Sequence, residues 1–161
     1  MTDHEIRLFE TDAAVVHVGD GLIACTLPRP EWTHEAHLAA CLHIVRDRAD
    51  LLPERDLPVI IRRYNESVGG VNDDHQGYHE TITQAFIAAI RVHLAERPPG
   101  ERLVESVNAL LVSPRGMRDW PLNHYSRDLL FSVAARRAFV APDHEPLPEW
   151  RRAVDASIAS D

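Results

Sequence analysis

The sequence predicts a mainly α-helical domain, a compact bundle of four or five helices with a small N-terminal β-hairpin. Three observations favour this fold class. Apolar residues recur at spacings of three and four along several segments, which is the period of an amphipathic helix. The 161 residues, 45% of them hydrophobic, match a single domain over 1–161 with its own core. One segment near the N-terminus alternates with period two instead.

That alternating segment, residues 13–27, is the predicted hairpin. Val16 and Val18 alternate with His17, and the Gly-Asp-Gly sequence that follows is typical of a hairpin turn. Two strands alone are marginally stable, so we expect the hairpin to pack against the helices.

Four longer helices are predicted from apolar stripes and helix-stop signals. They span residues 33–48, 56–68, 78–96 and 101–112. Thr33 is a suitable N-cap for the first, on which His43 faces away from the apolar stripe and is expected in solvent. Ser126 and Ser132 predict caps for two short helices. These short helices and a final one span 127–131, 133–140 and 149–159.

Composition excludes several classes of function. The chain has a net charge of −8, which argues against a general nucleic-acid binder. All 17 basic residues are arginine, which excludes a Schiff-base lysine and a Walker A loop. No signal peptide or long apolar run is apparent, and Cys25 and Cys41 are too few for a disulfide framework. We therefore expect a cytoplasmic protein that binds neither nucleic acid nor membrane.

Three histidines form a candidate metal site. His34 and His37 are three residues apart on the 33–48 helix, so their Cβ atoms are expected about 5–6 Å apart on one face. His79 opens the apolar stripe of the 78–96 helix. Three imidazoles would leave an open coordination position, as catalytic metal sites require. The predicted cofactor is a divalent metal, zinc or iron(II).

Neighbouring side chains suggest further roles in such a site. Glu80 follows a candidate ligand and could act as general base or as a fourth ligand, with Tyr78 orienting the substrate. An arginine of the pair Arg62 and Arg63 could hold an anionic group. The remaining substrate-binding candidates are Asn65 and Trp32.

The same residues have other interpretations. Histidines near helix ends are often hydrogen-bonded within the core, Glu80 could simply stabilise a helix dipole, and Arg62 and Arg63 could lie on a solvated face. The leading hypothesis is a small metal-dependent enzyme, a hydrolase or lyase with zinc or an oxygenase with iron, acting on a small polar or anionic molecule. The alternative is a metal-free ligand-binding or regulatory protein with a histidine-lined pocket. A purely structural interaction protein is a third. A homodimer is compatible with each.

Several segments resemble a family of small, uncharacterised bacterial proteins. They are CTLPRPEWTHEAHL (25–38), RRYNESVGG (62–70), GYHETIT (77–83) and YSRDLLFSVAARRAFVAPDHEPLP (125–148). The resemblance covers most of the chain and names no reaction. The positions it groups are Trp32, His34, His37, Asn65, Tyr78, His79 and Glu80. The tryptophan-led helix bearing His37 is also similar to DinB-like helical metal proteins, a similarity that implies a metal site in a four-helix bundle.

Overall fold

The computed structural model describes residues 5–148, and within that range it is mainly helical, as predicted. Seven α-helices and no strand occur among the described residues. The helices are α1 (Asp12–Ala24), α2 (His34–Asp47), α3 (Pro53–Ser67), α4 (Glu80–Glu96), α5 (Leu103–Leu111), α6 (Arg127–Leu130) and α7 (Val133–Arg137). No helix in this part of the chain is long and apolar enough to cross a membrane.

The central element of the bundle is α2. It contacts α1, α3, α4 and α5, and its side chains from Glu35 to Ile44 are all buried except that of His37. Thr33 caps it as predicted, because its hydroxyl accepts a hydrogen bond of 3.1 Å from the Ala36 amide. A helix buried along most of its length can contribute to a site only near its ends.

The predicted N-terminal hairpin is wrong, because this segment is the helix α1. Thr11 caps it, and it ends at Cys25, whose φ of 59° lies in the left-handed region. The glycines that suggested a turn lie inside the helix instead. A Cβ on Gly19 would be 2.7 Å from the ring of His43, so this glycine lets α1 approach α2 closely.

The same packing corrects the expectation for His43. Its exposed fraction is 6%, because α1 covers the face of α2 that was expected in solvent. The two wrong predictions therefore have one cause. A hairpin at this position would have left that face of α2 open, whereas a helix with a glycine at the crossing point closes it.

Helix α3 begins at Pro53, three residues before the predicted start at 56. Pro58 lies inside it and has no N–H to donate to the Glu54 carbonyl one turn earlier. The side chain of Gln84 on α4 donates to that carbonyl instead, over 2.9 Å. This bond ties α3 to the first turns of α4.

The second half of the chain follows the prediction with shorter helices. Ser126 and Ser132 cap α6 and α7 through their hydroxyls, as expected. Helix α4 begins two residues later than predicted because His79 is its N-cap. The predicted helix over 149–159 lies outside the described residues.

Candidate functional site

Two adjoining cavities open at the N-terminal end of α2, and Trp32 and His37 line both of them. The first, which we call the apolar chamber, has a volume of about 340 Å³. Its walls include Leu38, Cys41, Ile61, Ile82 and Phe86, with Thr83, His34 and Arg118. The second, which we call the polar cleft, has a volume of about 460 Å³. Its walls include Arg29, Asn65, Val68 and Gln76.

The local sequence explains why the rings of Trp32 and His37 meet. A short 3-10 turn over Arg29–Glu31 leads directly into the α2 cap, so Trp32 lies beside the first turn of the helix. Its ring stacks on that of His37, with centroids 3.6 Å apart and planes inclined by 29°. Tyr64 packs edge-on against Trp32 at 5.3 Å and donates its hydroxyl to the Leu27 carbonyl, which holds the tryptophan in place.

The protonation state of His37 follows from its contacts. Its Nδ1 lies 2.6 Å from the Thr33 carbonyl oxygen and must donate there, which leaves Nε2 with a lone pair. Burial, with smaller contributions from the nearby His34 and Arg118, lowers the pKa of His37 to about 4, although the hydrogen bond to Thr33 opposes this shift. At neutral pH this ring is therefore an uncharged hydrogen-bond acceptor or metal ligand.

His34 has a different task, because it fixes the loop that carries Arg118. Its Nε2 donates to the Gly116 carbonyl oxygen over 2.7 Å. A Cβ on Gly116 would be 2.2 Å from the Leu110 carbonyl oxygen, so only glycine lets the loop lie this close to α5. Two residues later, Arg118 reaches the chamber. His34 and Arg118 also line a further cavity of about 340 Å³, together with the acidic residues Glu35 and Asp119.

The arginines of the two cavities differ from most others in the chain. Among the described arginines, only Arg7, Arg29 and Arg118 contact no carboxylate, backbone carbonyl or aromatic ring. Arg118 lines the apolar chamber and Arg29 lines the polar cleft. No described carboxylate lines either cavity. In a chain of net charge −8, this leaves a locally cationic site.

The chamber also contains a thiol. Cys41 lies one turn after His37 on α2, and burial raises its pKa to about 12. The thiol is therefore protonated at neutral pH and contributes to the wall as a small apolar group.

His79, the third predicted metal ligand, does not line either cavity. Both of its ring nitrogens are in use. The Ile82 amide donates to Nδ1 over 3.1 Å, and Nε2 donates to the Leu130 carbonyl oxygen over 2.7 Å. Across the described part of the chain, no three His, Cys, Asp or Glu side chains are grouped so that they could hold a metal ion.

The predicted catalytic pair is part of a hydrogen-bonded network at the start of α4. Glu80 accepts from the Tyr78 hydroxyl over 3.0 Å and from the Gln84 amide over 2.7 Å. Burial raises the pKa of Tyr78 well above its usual value, and the Glu80 carboxylate raises it further. Arg62 lies over the Tyr78 ring at 4.5 Å. The Tyr78 hydroxyl also interacts with Thr83, which connects this network to the chamber wall.

Of the other predicted substrate-binding residues, some line the cavities and others only support the fold. Trp32 and Asn65 line the cavities. Asn65 donates to the side chain of Asn72, which is itself fixed by the Tyr78 amide. Arg63 donates to the Ile23 carbonyl oxygen over 3.0 Å and lines neither cavity.

Sequence reasoning missed Arg29 and Arg118. Arg29 lies three residues before Trp32, so its position beside the histidine-bearing helix was a usable signal. Arg118 follows a Pro-Arg-Gly sequence in what the sequence indicates only as a loop. Its place in the chamber depends on the contact between His34 and Gly116, which are far apart in the chain and which no local pattern predicts.

The chain matches no family model, no curated protein and no solved structure. The resemblances carried by the WTHEAHL and GYHETIT segments therefore stay predictions. Any functional conclusion depends on the chemistry of the chamber and the cleft.

Proposed function

We propose that this protein binds a small molecule that carries an anionic group, such as a carboxylate, on an apolar body. The observation that carries this proposal is the unpaired Arg118 beside the neutral His37, in a chamber without a described carboxylate. A guanidinium group binds a carboxylate through two parallel hydrogen bonds. This function corresponds to the metal-free alternative predicted from the sequence.

The chamber supplies a complementary surface for each part of such a ligand. The aliphatic and aromatic wall at Ile61, Ile82 and Phe86 receives the apolar body, at about 25 cal/mol for each Å² removed from water. Arg118 binds the anion at the entrance. The Nε2 of His37 accepts a hydrogen bond from a hydroxyl or amine of the ligand, if one is present.

Calorimetric titration with benzoate and hexanoate tests this proposal. We expect both to bind the wild-type protein, and the Arg118→Gln variant to bind them at least about tenfold more weakly, since a charge-assisted pair is lost. Arg7→Gln is the matched control, because Arg7 is also exposed and unpaired but lines neither cavity. Failure of both carboxylates to bind, or equal affinities for Arg118→Gln and Arg7→Gln, would contradict the proposal.

The metal-dependent enzyme is a second candidate, supported by one feature of His37. Metal-ligating histidines usually donate their second ring nitrogen to a carbonyl or carboxylate, as His37 does to Thr33. Zinc or iron(II) bound by His34, His37 and His79 would need the ring of His79, which lines neither cavity, to give up at least one of its two hydrogen bonds.

Elemental analysis after incubation with zinc or iron(II) separates the two candidates. About one metal per chain, lost in both His37→Ala and His79→Ala while the fold survives, would favour the enzyme. Metal that is lost only in His37→Ala would mean that the His79 ligand is wrong. No retained metal, together with carboxylate binding, would favour the binding protein.

A further inference from the structure

We infer that the ligand is a dianion whose second anionic group binds Arg29 in the polar cleft, across the Trp32–His37 ring pair. This inference rests on the proposed function, because it places the first anionic group on Arg118 in the apolar chamber. It names the ligand class as a molecule with an anion at each end of a short apolar segment, such as a dicarboxylate.

The two cavities form neighbouring parts of one site. Trp32 and His37 contribute to the walls of both, so this stacked ring pair borders chamber and cleft alike. A ligand that covers the edge of the pair can therefore place one end in each cavity. The middle of the ligand would then pass beside the Nε2 of His37.

Arg29 is held where such a second group would lie. It opens the short 3-10 turn that ends at Glu31, and a proline on each side restricts the backbone of this segment. Its side chain is exposed and contacts no carboxylate, carbonyl or aromatic ring among the described residues. Its guanidinium is therefore available to a ligand without breaking an existing pair.

The charges of the site favour two anions over one anion or a zwitterion. A monoanion on Arg118 would leave Arg29 uncompensated in the adjoining cleft. An ammonium group there would meet Arg29 and neutral side chains such as Asn65 and Gln76, with no described carboxylate to pair with it. A dianion neutralises both guanidinium groups at once.

Matched pairs of ligands test this inference. The probes are succinate, glutarate, adipate and suberate, each compared by calorimetry with the monocarboxylate of equal chain length. We expect at least one dicarboxylate to bind the wild-type protein about tenfold more tightly than its monocarboxylate, since a second charge-assisted pair forms. The chain length with the largest difference reports the spacing between the two arginines.

Two variants test which arginine binds each anionic group of the ligand. Arg29→Gln should weaken dicarboxylate binding by a larger factor than monocarboxylate binding, whereas Arg118→Gln should weaken both by similar factors. Arg7→Gln should change neither. The inference of a dianion would be overturned if dicarboxylates bound no more tightly than monocarboxylates, or if Arg29→Gln weakened the binding of both equally. Either result would leave the proposed function intact. If no carboxylate of either kind binds, the proposed function itself fails.

Discussion

Two polar regions of this protein lie close together and differ in one respect. At the start of α4, Tyr78, Glu80 and Gln84 are joined by hydrogen bonds, and the adjacent His79 is bonded to the Leu130 carbonyl and the Ile82 amide. We call this the α4 network. At the start of α2, the cavities beside Trp32 and His37 contain guanidinium groups without partners and a histidine with one open nitrogen.

The difference separates residues that hold the fold from residues that can hold a ligand. A paired polar group has already exchanged its water for a protein partner, so binding a ligand would first require that bond to break. An unpaired group in a concave site gives up only water when it binds a ligand. The same residue type can occur in either setting, because both ring nitrogens of His79 are hydrogen-bonded whereas His37 keeps one open.

The largest expected effect is on stability, at His79. Replacing it with Ala removes the N-cap of α4 and leaves the Leu130 carbonyl without its donor. We expect the free energy of unfolding to fall by about 2–4 kcal/mol, measured by urea denaturation. His37→Ala should cost clearly less, because its ring partly faces a cavity. Equal losses in the two variants would contradict the distinction between the α4 network and the cavities.

A change of pH is expected to have a smaller effect on the free energy of unfolding. The pKa of His37 is lowered to about 4 by burial, and burial also lowers the pKa values of His79 and His93. In the unfolded chain these groups return to about 6.5. The unfolded state therefore binds more protons between these values, and the free energy of unfolding should fall as the pH is lowered from about 6.5 to about 4.

The contribution of His37 to this fall in the free energy of unfolding can be measured separately. We expect it to contribute about 1–2 kcal/mol of the fall, because its ring stays partly exposed and solvent screens the shift. His37→Gln should flatten the curve between about pH 6.5 and 4. A curve parallel to that of the wild-type protein would mean that His37 titrates alike in both states.

Replacing Glu80 tests whether its carboxylate has a structural or a catalytic role. Glu80→Gln places an amide where two donors now converge, so we expect a loss of about 1–2 kcal/mol in the free energy of unfolding. Glu66→Gln is the matched control, since Glu66 is exposed and should change stability by less than about 0.5 kcal/mol. If Glu80→Gln is as stable as the wild-type protein, its role in the α4 network is wrong and the predicted general base regains support.

The helical fold was predictable because its main signals are local. Apolar spacing predicted the four longer helices, and the Thr33 hydroxyl predicted the start of α2. The hairpin prediction failed because the sequence around Gly19 fits two different structures. A glycine can supply a turn, or it can bring two helices together. Only the position of His43 on another helix distinguishes these two cases.

The candidate site was predictable where it depends on one helix. His34 and His37 lie in the first turns of α2 and Trp32 directly precedes its N-cap, and the structure brings all three to the same chamber. His79 was grouped with them because it opens the apolar stripe of the 78–96 helix, and its ring is engaged elsewhere. Arg118 depends on a loop that returns from a distant part of the chain, which periodicity does not reveal.

The smallest expected effect sharpens the contrast between paired and unpaired arginines. Arg29→Gln and Arg118→Gln should each change the free energy of unfolding by less than about 0.5 kcal/mol, because neither side chain has a partner to lose. Arg91→Gln should cost about 1–2 kcal/mol, because Arg91 holds both oxygens of the partly buried Glu54, at 2.7 and 3.0 Å. Urea denaturation of the three variants measures this difference. A loss at Arg29 or Arg118 as large as that at Arg91 would show that these side chains support the fold, and the case for a ligand between them would weaken accordingly.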